Sequence, residues 1–171
     1  MRIFLTGFMG AGKTTVGREL ASRLGCPFVD LDDEIEREAG ANVREIFERE
    51  GEAGFRERER DMLVRVAAPD PVVVAAGGGT FTRPENLELA RARGLVVWLN
   101  PEFATIVGRL GGLEKDRRPL FRDETSAFDL YRARLASYRT ADVRIDVRVE
   151  ETPAEVTERV RAALRERSCA T

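Results

Sequence analysis

Hydrophobic positions along the chain fall into short continuous runs separated by stretches with a repeat of three to four residues. Arg2 to Thr6 (RIFLT) is an apolar run ended by Gly7, which predicts a buried strand. Val16, Leu20 and Leu24 then mark a helix stripe closed by Gly25, and Pro27 to Asp30 reads as a second strand. Acidic and arginine-rich helical segments follow, punctuated at Gly40, Gly51 and Gly54. Val72 to Val74 is a third strand, bounded by Pro69 and Pro71 on one side and Gly77-Gly78-Gly79 on the other. Pro84 opens a helix to about Arg93, Leu95 to Leu99 is a fourth strand, and Phe103, Val107 and Leu110 mark another helix. The stretch from Gly111 to Arg122 has mixed charges and no period, which predicts a mobile loop. Tyr131, Leu135 and Tyr138 give a helix, and Val143, Ile145 and Val147 alternate as a fifth strand. Thr152-Pro153-Ala154-Glu155 is a capping box with proline at the first helical position, starting a helix with Val156, Val160, Ala163 and Leu164 on one face. The last residues, about Arg167 to Thr171, are expected to fray. Mostly continuous strands alternating with helices predict an α/β fold, with a largely parallel sheet covered on both faces.

Composition narrows the chemistry. At 171 residues and 19.1 kDa the chain is expected to form one domain, 1–171, with no repeat, linker or low-complexity tract. Lys+Arg 28 against Asp+Glu 30 gives a net charge of −2, so the chain as a whole offers no cationic field for nucleic acid or anionic lipid. Histidine is absent, which excludes Ser-His-Asp triads, histidine bases and histidine metal sites. Cys26 and Cys169 form no C-x-x-C, so zinc and dithiol chemistry are poor readings and a reducing compartment is expected. No apolar run reaches the roughly 18 residues of a membrane span, and Met1 leads straight into a strand without the pattern of a signal peptide. These features predict a cytoplasmic, single-domain protein with neither nucleic acid nor membrane as a partner.

Gly7-Phe8-Met9-Gly10-Ala11-Gly12-Lys13-Thr14 matches G-x-x-x-x-G-K-[ST] between the first strand and first helix. Such a loop curls its N–H groups toward phosphate oxygens, with a lysine reaching the β- and γ-phosphates and a hydroxyl for Mg²⁺. Lys13 is one of only two lysines, the other being Lys115. Phe28-Val29-Asp30-Leu31-Asp32 sets two carboxylates at i and i+2, expected on one side of an extended chain beside the phosphate loop. One suits a Mg²⁺ shell and the other a proton acceptor, while Asp33 with Glu36 is assigned to capping the next helix. Three glycines at 77–79 directly after a strand suggest a ligand pressed against bare backbone, or else a turn. Arg117-Arg118-Pro119 lies in the polar stretch, as a lid arginine or as a solvated pair among 26 arginines.

Guanine-reading N-K-x-D and D-x-x-G are missing, and Val72-Val73-Val74 runs into Ala75-Ala76-Gly77 with no acidic strand end, so switch GTPases and motor ATPases fit poorly. GFMGAGKTTVGRELA at 7–21, FVDLD at 28–32, FRERE at 55–59, GGGT at 77–80 and RRPL at 117–120 together resemble bacterial shikimate kinase over nearly the whole chain. The resemblance implies a three-layer P-loop kinase fold, with a five-stranded parallel sheet of order 2-3-1-4-5 and helices on both faces. It implies a substrate-binding segment about 31–60 and a mobile lid about 111–122. The implied reaction is transfer of the ATP γ-phosphate to the shikimate 3-hydroxyl with Mg²⁺. Carried over by position, Gly10, Ala11, Gly12, Lys13, Thr14, Thr15, Arg109, Arg118 and Pro153 would meet ATP. Thr14, with Asp30 through water, would hold the metal, and Asp32, Arg56, Gly78, Gly79 and Arg134 would meet shikimate. Lys13, Asp32 and Arg118 would be catalytic. After Arg134 the chain reads Leu135-Ala136-Ser137-Tyr138 where the family has roughly x-P-L-Y. Another small-molecule kinase, acting on gluconate or a nucleoside monophosphate, and a non-catalytic ATP-binding module remain the alternatives.

Overall fold

The computed structural model describes residues 1–111 and 123–169. Its centre is β1 (Arg2–Thr6), flanked by β3 (Val72–Ala75) and β4 (Gly94–Pro101). β2 (Phe28–Asp30) and β5 (Val143–Val147) close the two edges, and all pairings are parallel in the order β2-β3-β1-β4-β5. Because β1 is covered on both faces, its side chains divide by parity. Ile3 and Leu5 pack with Val16 and Leu20 of α1 (Lys13–Leu24) and with Val156, Val160 and Leu164 of α7 (Pro153–Cys169). Phe4 faces the other way, against Leu31 and Ile35 of α2 (Leu31–Ala39), Phe55 and Leu63 of α3 (Val43–Val66), and Ala90 of α4 (Pro84–Arg93). A third apolar cluster of Phe8, Met9, Trp98, Ile106, Leu110 and Tyr138 joins α5 (Phe103–Gly111) and α6 (Glu124–Tyr138) to the loop after β1. β5 alternates buried valine and isoleucine with exposed Arg144 and Asp146, as suits an edge strand with one covered face.

Several boundaries depart from expectation. α2 begins directly after β2, so the chain turns helical at Leu31 instead of staying extended through Asp32. Asp30 is its cap, accepting the Asp32 N–H at 3.2 Å, and the expected capping role of Asp33 is wrong. Glu36 instead accepts the Val43 N–H at 2.8 Å. Gly51 breaks the regular path of α3 with φ 71°, whereas Gly54 stays helical and punctuates nothing. Leu24, the last member of the α1 stripe, is exposed, and the α7 backbone stays helical to Cys169, beyond the expected fraying point at Arg167. The expected lid lies, apart from Gly111, outside the described residues, and Arg117 and Arg118 with it.

Parallel strands bring their carboxyl ends to one rim, so the turn after β1, the end of β2 and the glycines after β3 all meet there. The sheet itself is held close by a glycine at the start of β4. Gly94 pairs with Arg2 and has extended φ and ψ, but a Cβ there would collide with the Arg2 backbone carbonyl. Gly94→Ala is therefore expected to lower stability by about 2–3 kcal/mol, the cost of overpacking against backbone. Urea denaturation measures it; a loss under about 0.5 kcal/mol would mean that β1 and β4 separate easily.

Candidate active site

The turn after β1 is shaped by glycine. Gly7, Gly10 and Gly12 have φ of 141°, 75° and 93°, values that other residues rarely adopt. A Cβ on Gly7 would also sit 2.5 Å from the Leu99 carbonyl oxygen. Gly12 is the N-cap of α1 and brings no side-chain cap, so no side chain competes for the N–H groups of the first turn. Lys13 folds back over the loop, its Nζ donating to the carbonyls of Gly7 at 2.9 Å and Phe8 at 3.1 Å. The Thr14 hydroxyl donates to Asp30 Oδ2 at 2.6 Å while Oδ1 of the same carboxylate caps α2. Asp30 thus ties the phosphate loop to the end of β2.

Two recesses open on either side of Lys13 and Thr14, which line both. The first brings together Asp30, Asp32, Arg56, Gly77, Gly78, Gly79 and Arg134. The second brings together Gly10, Ala11, Gly12, Thr15, Arg109 and Pro153. Arg109 reaches from α5 to the Gly10 carbonyl at 3.3 Å. Pro153 is held at the start of α7 by reciprocal bonds between Thr152 and Glu155 of 2.8 and 3.3 Å, the capping box expected there. Every sequence-derived candidate among the described residues lines one recess or the other; Arg118 lies outside the described residues.

The glycine run does something other than bend the chain. A Cβ at Gly77 would meet Glu59 Oε1 at 2.9 Å and Asp32 Oδ1 at 3.0 Å. One at Gly78 would meet Arg134 Nη1 at 3.1 Å, and one at Gly79 would meet Arg56 Nη2 at 2.6 Å. Side chains from α2, α3 and α6 therefore pack onto three bare α-carbons in succession. The protein's own charged groups need that space before any ligand does. Asp33 stays at the edge of the recess, 3.7 Å from Arg18, and its carboxyl is raised by burial and by the neighbouring Asp30 charge.

The two buried arginines are held differently. Arg56 donates to Glu59 Oε2 at 2.8 Å and to Glu52 Oε1 at 3.3 Å. Burial works against its charge, and the two carboxylates outweigh it, raising the guanidinium above its ordinary value. Arg134 is equally buried but has no carboxylate partner among the described residues; its guanidinium lies over the Phe8 ring, 6.0 Å from the centroid. Among the described residues no group of three metal-ligating side chains occurs, so a divalent ion here would rely on ligand oxygens beyond the protein's.

Comparison with known proteins points to one family. The family model described as shikimate kinase matches residues 9–165. A shikimate kinase from Symbiobacterium thermophilum is 52% identical over 120 residues, 70% of this chain and 69% of its own length. The structure of shikimate kinase from Acinetobacter baumannii in complex with shikimate superposes with a TM-score of 0.90 at 37% identity, covering 97% of this chain and 93% of that one. A gluconokinase from Sinorhizobium meliloti reaches a TM-score of 0.59 at 20% identity over 96% of this chain and 91% of its own, a likeness of fold alone.

Glu59 is the residue that sequence reasoning missed. It is fully buried, accepting from Arg56 and, at 2.6 Å, from the Thr80 hydroxyl. It closes the FRERE run at 55–59, but that run pointed only to Arg56, and its one further signal is the i+3 spacing from that arginine. Glu59→Ala is expected to cost about 3–5 kcal/mol, because it leaves a buried guanidinium with only the exposed Glu52. Glu59→Gln, which keeps both hydrogen-bond positions, should cost less than half of that. Chemical denaturation of the two variants decides; equal losses would mean that the charge of Glu59, not its shape, is what matters at this position.

Proposed function

The chain belongs to the shikimate kinase family, and we propose that its first recess takes shikimate and its second takes ATP, with Lys13 and Thr14 between them. The enzyme is an ATP-dependent phosphotransferase that moves the γ-phosphate to the 3-hydroxyl of shikimate. The observation that carries the division of labour is the meeting of two unlike recesses at one lysine. One holds two buried arginines and Asp32; the other holds the loop N–H groups, Arg109 and Pro153.

Shikimate is a small carboxylate with hydroxyls on its ring. Arg56 and Arg134 present forked donors that match a carboxylate two bonds at a time. Gly78 and Gly79 offer backbone where a ring can approach closely, and Asp32 accepts a hydrogen bond from the hydroxyl that attacks. Asp32 thereby orients that oxygen and takes its proton as the new P–O bond forms. Lys13 leaves the Gly7 and Phe8 carbonyls to neutralise the β- and γ-phosphates, while the loop N–H groups cradle them. Arg109 and Pro153 flank the adenine. The absence of histidine is no handicap, because this transfer depends on alignment and charge more than on covalent catalysis.

The donor set at the junction fits Mg²⁺. The Thr14 hydroxyl and Asp30 carboxylate are hard oxygen donors only 2.6 Å apart; Thr14 would hold the ion directly and Asp30 would hold it through water. The ion supplies charge neutralisation on the phosphate oxygens when bound. We further take the enzyme to act as a monomer in the cytoplasm, a reducing compartment that suits a chain with two cysteines and no C-x-x-C. No helix among the described residues is long and apolar enough to cross a membrane.

A coupled assay for ADP release, run with and without shikimate, tests the reading as a whole. Lys13→Ala is expected to lose turnover by about 10²–10³-fold, the usual effect of removing one group that stabilises developing charge. A variant within tenfold of the parent would remove Lys13 from the chemistry. Arg56→Lys should weaken shikimate binding by about 1.5–3 kcal/mol, since a point charge cannot form the two-pronged contact, while the KM for ATP stays put. If ATP suffers while shikimate does not, the recesses have been assigned the wrong way round.

A further inference from the structure

Tyr138 ends α6, one helical turn after Arg134, and is 1% exposed. Its ring packs on Trp98 with centroids 5.8 Å apart, and its hydroxyl donates to the Gly78 carbonyl at 2.7 Å. The Arg134 guanidinium faces the same hydroxyl. Both side chains converge on one α-carbon: a Cβ at Gly78 would lie 3.1 Å from Arg134 Nη1 and 3.5 Å from Tyr138 Oη. One buried hydroxyl therefore bonds the Gly78 peptide and lies beside the Arg134 guanidinium, two of the groups that the reading above assigns to shikimate.

The choice of a phenol has a physical reason. Arg56 is oriented by Glu59, which also neutralises it. An acid beside Arg134 would orient that side chain too, but would compete with the carboxylate of the substrate for its charge. A neutral hydroxyl orients the guanidinium and leaves the charge available. Burial pushes the Tyr138 phenol up to about 12, so it stays neutral throughout the range in which the enzyme would be assayed.

We propose that Tyr138 is a positioning residue for shikimate, its hydroxyl fixing the Gly78 peptide and the Arg134 guanidinium in one arrangement that matches the substrate. This rests on the assignment of Arg134 to the shikimate carboxylate. Tyr138→Phe keeps the ring against Trp98 and removes only the hydroxyl. It is expected to raise the KM for shikimate about 10-fold, the lower end for a lost hydrogen bond to a charged group, with the KM for ATP within about twofold and thermal stability little changed. The decisive measurement is the double-mutant cycle with Arg134→Ala: in that background the same substitution should change the KM for shikimate no more than about threefold, because only the Gly78 peptide is left to orient. An effect as large without Arg134 as with it would make Tyr138 a structural residue only and overturn the proposal. So would an unchanged KM in Tyr138→Phe alongside a raised KM in Arg134→Ala. If Arg134→Ala itself leaves the KM for shikimate unchanged, the carboxylate assignment fails first, and the positioning role fails with it.

Discussion

Three consecutive residues without a Cβ, Gly77 to Gly79, set how closely α2, α3 and α6 approach the end of β3. Asp32 and Glu59 close on the first, Arg134 and Tyr138 on the second, and Arg56 on the third. Each contact lies within about 3.5 Å of where a methyl group would be, so even alanine would displace a charged or hydrogen-bonding group. None of the three needs a left-handed backbone; the demand is for room. The recess is thus defined by where side chains can reach the strand end, and helices distant in sequence are registered against one another through it. The parallel sheet adds the other half of the arrangement by delivering the phosphate loop to the same rim.

Charge is distributed with similar economy. The chain has nearly balanced charges overall, yet two guanidinium groups are carried into the interior of one recess. Arg56 meets its desolvation with a buried glutamate, and Thr80 satisfies the remaining oxygen of that acid. Arg134 is left with an aromatic face and a phenol, partners that orient without neutralising. On the proposed assignment, a carboxylate ligand would meet one cation anchored by an acid and a second with no acid beside it among the described residues.

Much of this was legible in the sequence, for reasons that are local. The strands announced themselves as apolar runs between glycines and prolines, and the phosphate loop is a contiguous pattern whose context is its two neighbouring elements. The sheet order came through resemblance, since no local rule distinguishes 2-3-1-4-5 from other parallel orders. What escaped was set by tertiary approach. Asp30 and Asp33 are both plausible caps on paper, and only the abrupt end of β2 decides for Asp30. Glu59 is one acid among many until its burial is seen, and Tyr138 reads as one more member of a helical stripe until its hydroxyl is found on Gly78. Gly54 looked like punctuation because glycine disfavours helices by only about 1 kcal/mol, a penalty the packing of α3 readily offsets.

The position of Lys13 has a consequence for how nucleotide affinity is composed. With its ammonium resting on the carbonyls of Gly7 and Phe8, the loop supplies its own surrogate anion, and its curvature is held before any phosphate arrives. On the proposed assignment, nucleotide capture would be an exchange in which these carbonyls give way to phosphate oxygens, and the observed affinity would be the difference. The gain is smaller than a lone lysine–phosphate contact would suggest, but little of it is spent on ordering a slack loop. The same exchange in reverse lowers the barrier to product departure, because the lysine has somewhere to return to as the diphosphate leaves.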